Sequence, residues 1–96
     1  MNINLTAVIK SKPAKAETLK VLLLNLVANS RKEEACLKYE LQQSSEDENI
    51  FIFHEIWRDQ QGLDLHEQQE HFLAFGKAAT ELLADSPVLY KTQVIS

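Results

Sequence analysis

The eight residues Ile50-Phe51-Ile52-Phe53-His54-Glu55-Ile56-Trp57 constrain the fold more than any other stretch of this chain. Successive strand residues point to opposite faces of a sheet, so Phe51, Phe53, Glu55 and Trp57 share one face while Ile50, Ile52, His54 and Ile56 share the other. Large apolar side chains on both faces mark a central strand that needs cover on two sides. A chain of 96 residues has few elements from which to supply both covers.

The flanking segments give the remaining elements. Ile3, Leu5, Ala7 and Ile9 alternate with Asn4, Thr6, Val8 and Lys10, the period of a first strand. Ser11-Lys12-Pro13 ends it, with Pro13 suited to the first position of a helix. From there Leu19, Leu22, Leu23, Leu26 and Val27 recur at helical spacing to about Arg31, and Val21, Leu24 and Ala28 widen the apolar surface towards a second packing partner. Cys36 to Gln42 alternates again and runs into the polar connection Ser44–Asn49. After the central strand, Asp59 can cap a short helical turn over Gln60 to Gln68. A longer helix carries Phe72, Phe75, Ala79, Leu82 and Leu83 on one face and ends at Asp85-Ser86-Pro87, before a last strand from Val88 to Ile95.

The order βαββαβ predicts one domain over residues 1–96 with an α+β, ferredoxin-like split βαβ sandwich: a four-stranded antiparallel sheet with its helices on one face. The opposite face then lies bare, and its apolar residues predict a homodimer built sheet to sheet.

Fourteen acidic against ten basic residues leave a net charge of −4, without the surplus Lys and Arg that neutralises phosphates, so no nucleic-acid partner is expected. The longest uncharged apolar run, Val21 to Ser30, is too short to span a bilayer and is interrupted by Asn25 and Asn29, so no membrane partner is expected either. The first residues lack the features of a secretory signal, and the single Cys36 cannot close an intramolecular disulfide; both point to the cytoplasm. Gly62 and Gly76 are the only glycines, which leaves no Gly-rich phosphate loop, and neither G-x-S-x-G nor C-x-x-C occurs. No flavin, haem or metal is therefore expected.

The candidates for chemistry are few. His66 and His71 are five residues apart, about 140° around a continuous helix, which argues against a shared metal. His54 lies in the central strand. Glu55 sits on an apolar strand face, where a carboxylate either has a raised pKa, as a general base does, or is tied to a backbone N–H or to Arg58 or Lys38. The Trp57 indole N–H needs an acceptor if buried. Lys10, Lys12 and Lys15 either attract an anion or form a solvated edge.

Glu55-Ile56-Trp57-Arg58-Asp59, then Leu63-Asp64-Leu65-His66, then Glu70-His71-Phe72-Leu73-Ala74-Phe75 form the pattern E-x-W, L-x-x-H, H-F-x-x-F. This resembles the antibiotic biosynthesis monooxygenase family. Arg31 to Glu40 is similar to that family's R-x-E-x-G-C-x-x-Y-E, with Ala35 in place of the glycine, and Glu70 stands where many members have proline. The resemblance implies a dimeric α+β barrel and a cofactor-independent monooxygenase oxidising a quinol or hydroxylated aromatic with dioxygen. His66, Glu55 and Trp57 would be its catalytic residues, with His66 or Glu55 as the base. Tyr39, Phe53, His71, Phe72 and Phe75 would surround the substrate. The haem-degrading branch of the superfamily uses Asn, Trp and His where this chain has Thr6, His66 and Gly76, so haem oxygenation is not expected. The polyketide-oxidising branch shares the position of Trp57 but has Asn and Tyr where Phe53 and Leu63 stand. The alternatives are a small dimeric metabolite-binding or stress-associated protein, or an isomerase of a small phosphorylated sugar-like signal that the lysine cluster would favour.

Overall fold

The computed structural model describes residues 1–96 and contains β1 (Ile3–Lys10), α1 (Ala16–Ser30), β2 (Cys36–Gln43), β3 (Ile50–Trp57), α2 (Gln60–His66), α3 (Glu70–Ala79) and β4 (Val88–Thr92). The strands form one antiparallel sheet in the order β2-β3-β1-β4, with the two-sided apolar strand β3 inside it. This is the ferredoxin-like α+β arrangement anticipated from the element order.

Register decides which face is which. Leu5 pairs with Glu55, Ala7 with Phe53 and Ile9 with Phe51, and all six are buried on the helix side. Val8 pairs with Ile52, Thr6 with His54 and Asn4 with Ile56 on the other side, where all six are only half-buried. Trp57, Phe51 and Phe53 from β3 meet Leu19 and Leu23 from α1 as the largest fully buried side chains. The isoleucines of β3, with Val88 and Tyr90 of β4, line the face that carries no helix.

Several boundaries differ from the sequence reading. Helix α1 starts at Ala16, and Pro13 belongs to the turn before it, in which Ala14 takes a φ of 68°. Helix α1 does meet a second element, α3, besides the sheet, but not through Val21, Leu24 and Ala28, which are exposed on its outer side. Helix α3 stops at Ala79 because the following backbone is captured by the end of β1: Lys12 N–H donates to Leu82 O, Ala84 N–H to Lys10 O, and Ser11 bridges Leu83. Leu82 and Leu83 still pack on the core, from a turn and not from a helix. Strand β4 ends at Thr92, opposite Asn4, because β1 has almost run out there and offers little further pairing.

Helix α2 is set by two local features. The Asp59 side chain caps it, accepting from Gly62 N–H at 2.8 Å. Gly62 is required by close approach, since a Cβ there would overlap the Cβ of Ala35. No helix is long and apolar enough to cross a membrane.

Candidate functional site

Between α2 and α3 the chain makes a turn, with Gln68 N–H donating to Leu65 O and Gln69 N–H to His66 O. That turn breaks the continuous helix on which the 140° separation of His66 and His71 was reckoned. Instead both rings converge on one carboxylate: His66 Nδ1 and His71 Nε2 each lie 2.7 Å from Glu33 Oε2. Glu33 sits in the turn between α1 and β2.

A cavity of about 700 Å³ lies between the helix-side sheet face and α2 and α3. Ala7, Phe53 and Glu55 contribute from the sheet, and Tyr39, His66, Phe72 and Phe75 complete an aromatic wall. His66 is 2% exposed. Its ring lies 4.4 Å from that of Trp57, 4.9 Å from Phe72 and 5.5 Å from Tyr39, so neighbours on several sides fix its orientation. A carboxylate oxygen accepts, so the contact with Glu33 favours the His66 ring proton on Nδ1 and leaves Nε2 with its lone pair. Burial lowers the His66 pKa, against the opposing pull of Glu33, and so favours this neutral form.

Glu55 is another ionisable group of the cavity, which Glu67 and Asp85 also line. Trp57 Nε1 donates to its Oε1 at 2.9 Å. Burial pushes the carboxyl up to about 7, with Glu67 and Glu33 adding to the rise and the indole N–H opposing it. Neither Arg58 nor Lys38 is its partner: Arg58 pairs with Glu34 at 3.1 Å and Asp59 at 3.6 Å, and Lys38 lies opposite Ile56 on the other face of the sheet. The Tyr39 phenol is held protonated, its pKa raised by burial and then by Glu55. Cys36 is no nucleophile, because burial and Glu33 push its thiol up to about 11.

A family model described as antibiotic biosynthesis monooxygenase matches residues 3–78. The chain belongs to the antibiotic biosynthesis monooxygenase family. Among curated relatives, YcnE of Bacillus subtilis, whose name assigns it provisionally as a monooxygenase, is 34% identical over 96% of this chain and 97% of its own length. An uncharacterized Synechocystis protein is 36% identical over 79% of this chain, which spans about half (52%) of that relative. Of solved structures, Pseudomonas aeruginosa PA3566 superposes with a TM-score of 0.93 at 36% identity, covering 99% of this chain and 95% of that one. A structure described as an antibiotic biosynthesis monooxygenase superposes with a TM-score of 0.92 at 26% identity, covering 98% and 99%.

Within this member of the antibiotic biosynthesis monooxygenase family, six of the eight candidate residues line one cavity: Tyr39, Phe53, Glu55, His66, Phe72 and Phe75. Two do not. Trp57 is completely buried behind the wall, bonded to Glu55 and tilted against the His66 ring. His71 opens instead onto an outer groove that it shares with Glu33. Lys10, Lys12 and Lys15 are exposed and none lines the cavity, which leaves them as a solvated edge. Glu33 is the site residue that the sequence reading missed. Its one signal was the glutamate of the R-x-E pattern after the first helix, to which no role was attached.

Proposed function

We propose that this family member oxidises a quinol or hydroxylated aromatic with dioxygen, without a bound organic cofactor, inside the aromatic-lined cavity. The observation that carries this reading is the His66–Glu33 contact of 2.7 Å in the wall of the cavity, which favours the ring proton on Nδ1 and leaves Nε2 as the proton acceptor. Nε2 takes the phenolic proton, and the electron-rich phenolate reduces dioxygen directly. The resulting radical pair combines at a ring carbon bearing hydrogen. Protonation of the distal oxygen, loss of that C–H proton and cleavage of the O–O bond release water and leave a quinone. One oxygen atom of dioxygen ends in the product and the other in water, so atoms and electrons balance. Glu55, a cavity residue whose carboxyl burial raises to about 7, is the group that exchanges the proton the peroxide needs. Partial burial among aromatic side chains strengthens these electrostatic interactions.

The reading draws support from the naming of YcnE and of the solved relative as monooxygenases. Oxygen uptake by purified protein against a panel of quinols and hydroxyquinones tests it. Consumption of one dioxygen per quinone formed is expected. Uptake no faster than the uncatalysed rate across the panel would overturn it and favour binding without turnover.

We also infer that a second copy of the chain covers the open sheet face, where Ile50, Ile52 and Ile56 lie half-buried beside Val8, Val88 and Tyr90. A helix layer covers only the other side, and symmetric pairing of two such faces buries both at once.

A further inference from the structure

We propose that Glu33, His66 and His71 form a binding site for a divalent transition cation of the zinc class. Their donor atoms, one carboxylate oxygen and two imidazole nitrogens, all lie within 4.8 Å of one another. Two imidazoles and a carboxylate are an established zinc ligand set that leaves a fourth position open. Imidazole donors select zinc and its neighbours over magnesium or calcium, which prefer all-oxygen shells.

A side-chain rearrangement of under an ångström per contact admits the ion. Ligand atoms about 2.0–2.2 Å from a tetrahedral zinc stand roughly 3.4 Å apart. The two N···O separations are 2.7 Å, so each opens by about 0.7 Å. The three ligands come from three backbone segments that are each fixed. Glu33 N–H donates to Ser30 O at 3.0 Å, and Cys36 N–H to Glu33 O at 3.1 Å. His66 ends α2, and Gln69 N–H returns to its carbonyl at 3.1 Å. His71 lies in the first turn of α3. Trp57 and Phe72 pack against the His66 ring and limit its rotation.

Entry is from outside the substrate cavity. A separate groove of about 460 Å³ opens on Glu33 and His71, with Asn29 and Gln69 as further polar lining. Lys32 and Arg58 also border it, and Arg58 is already engaged by Glu34 and Asp59. Nothing in the preceding functional reading uses His71 or this groove.

Ligation through Nδ1 moves the His66 ring proton to Nε2. If the reading of His66 as base is right, on which this one consequence rests, the cation switches the site off by turning a proton acceptor into a donor.

Calorimetric titration of the full chain with zinc chloride tests the site without any substrate, so its outcome is independent of whether the oxidative reading survives. One zinc per chain is expected, together with a saturable rise in melting temperature. Cobalt(II) in its place should give the visible absorption of a tetrahedral ion. Magnesium should give neither heat nor stabilisation. His71→Ala and His71→Asn, checked for native circular dichroism, should lose the one-to-one binding. His54→Ala, on the open sheet face, should keep it. Absence of saturable zinc binding by the unmodified chain, or undiminished binding by either folded His71 variant, would overturn the proposal.

Discussion

His66 and Glu33 lie 33 residues apart in the chain and 2.7 Å apart in space. The contact joins the end of α2 to the turn after α1, and it selects the His66 tautomer. Removing the carboxylate frees the ring proton to move to Nε2. Glu33→Ala should therefore lower quinol turnover roughly 10–10²-fold in a protein that remains folded. Oxygen uptake normalised to native circular dichroism measures it, and unchanged turnover would show that the carboxylate does not set the base.

Glu55 predicts a pH dependence of stability. Its carboxyl is pushed up from 4.5 to about 7, so between these values the folded protein keeps a proton that the unfolded chain has released. The stability linked to this group is fully present below about 4.5, falls as pH rises through the window, and is gone above about 7. The loss amounts to roughly 3 kcal/mol from a shift of this size. Glu55→Gln keeps an acceptor for the Trp57 N–H without the charge, so it should melt higher than the parent at pH 8 and much closer to it at pH 4.5. Thermal melts of both proteins across that range are the check, and identical pH profiles would contradict the assignment.

Gly62 places the helix that carries His66. In Gly62→Ala the new methyl meets Ala35, and α2 must shift or distort. A stability loss of about 1–3 kcal/mol is expected. Chemical denaturation measures it, and the paired Ala35→Gly change should recover part of the loss.

The open sheet face predicts self-association. Ile52 is half-buried there, at the centre of the sheet opposite Val8 and Gln42. Light scattering should give twice the 11.0 kDa chain mass for the parent. Ile52→Lys should give a monomer or an unfolded chain, because pairing would bury an ammonium without a partner. A monomeric parent at micromolar concentration would remove the inferred interface.

The sheet was legible because its signal is local. The alternation over Ile50–Trp57 gave β3 to the residue and put Glu55 on one face with Phe53 and Trp57; which of the two faces lies under the helices is seen only in the fold. The parts that misled depend on contacts distant in sequence. The short helical turn and the longer helix read as separate elements in the sequence, but nothing in Glu67, Gln68 and Gln69 tells how the two are angled, so only the folded chain shows that His66 and His71 converge on Glu33. The end of α3 is likewise set by backbone bonds to Lys10 and Lys12, not by Pro87. The resemblance put Trp57 in the site; in the fold it lies fully buried beside the cavity, its indole N–H bonded to Glu55 and its ring against that of His66.

The central claim is that His66 removes the substrate proton, and one variant measured in two ways tests it most directly. His66→Ala, assayed for oxygen uptake per folded molecule with the best quinol of the panel and for melting temperature in the same preparation, should lose turnover by roughly 10²–10⁴-fold. A protein whose melting temperature falls, as loss of a buried hydrogen bond worth about 1–2 kcal/mol would cause, while its specific activity stays at the parental value would contradict it.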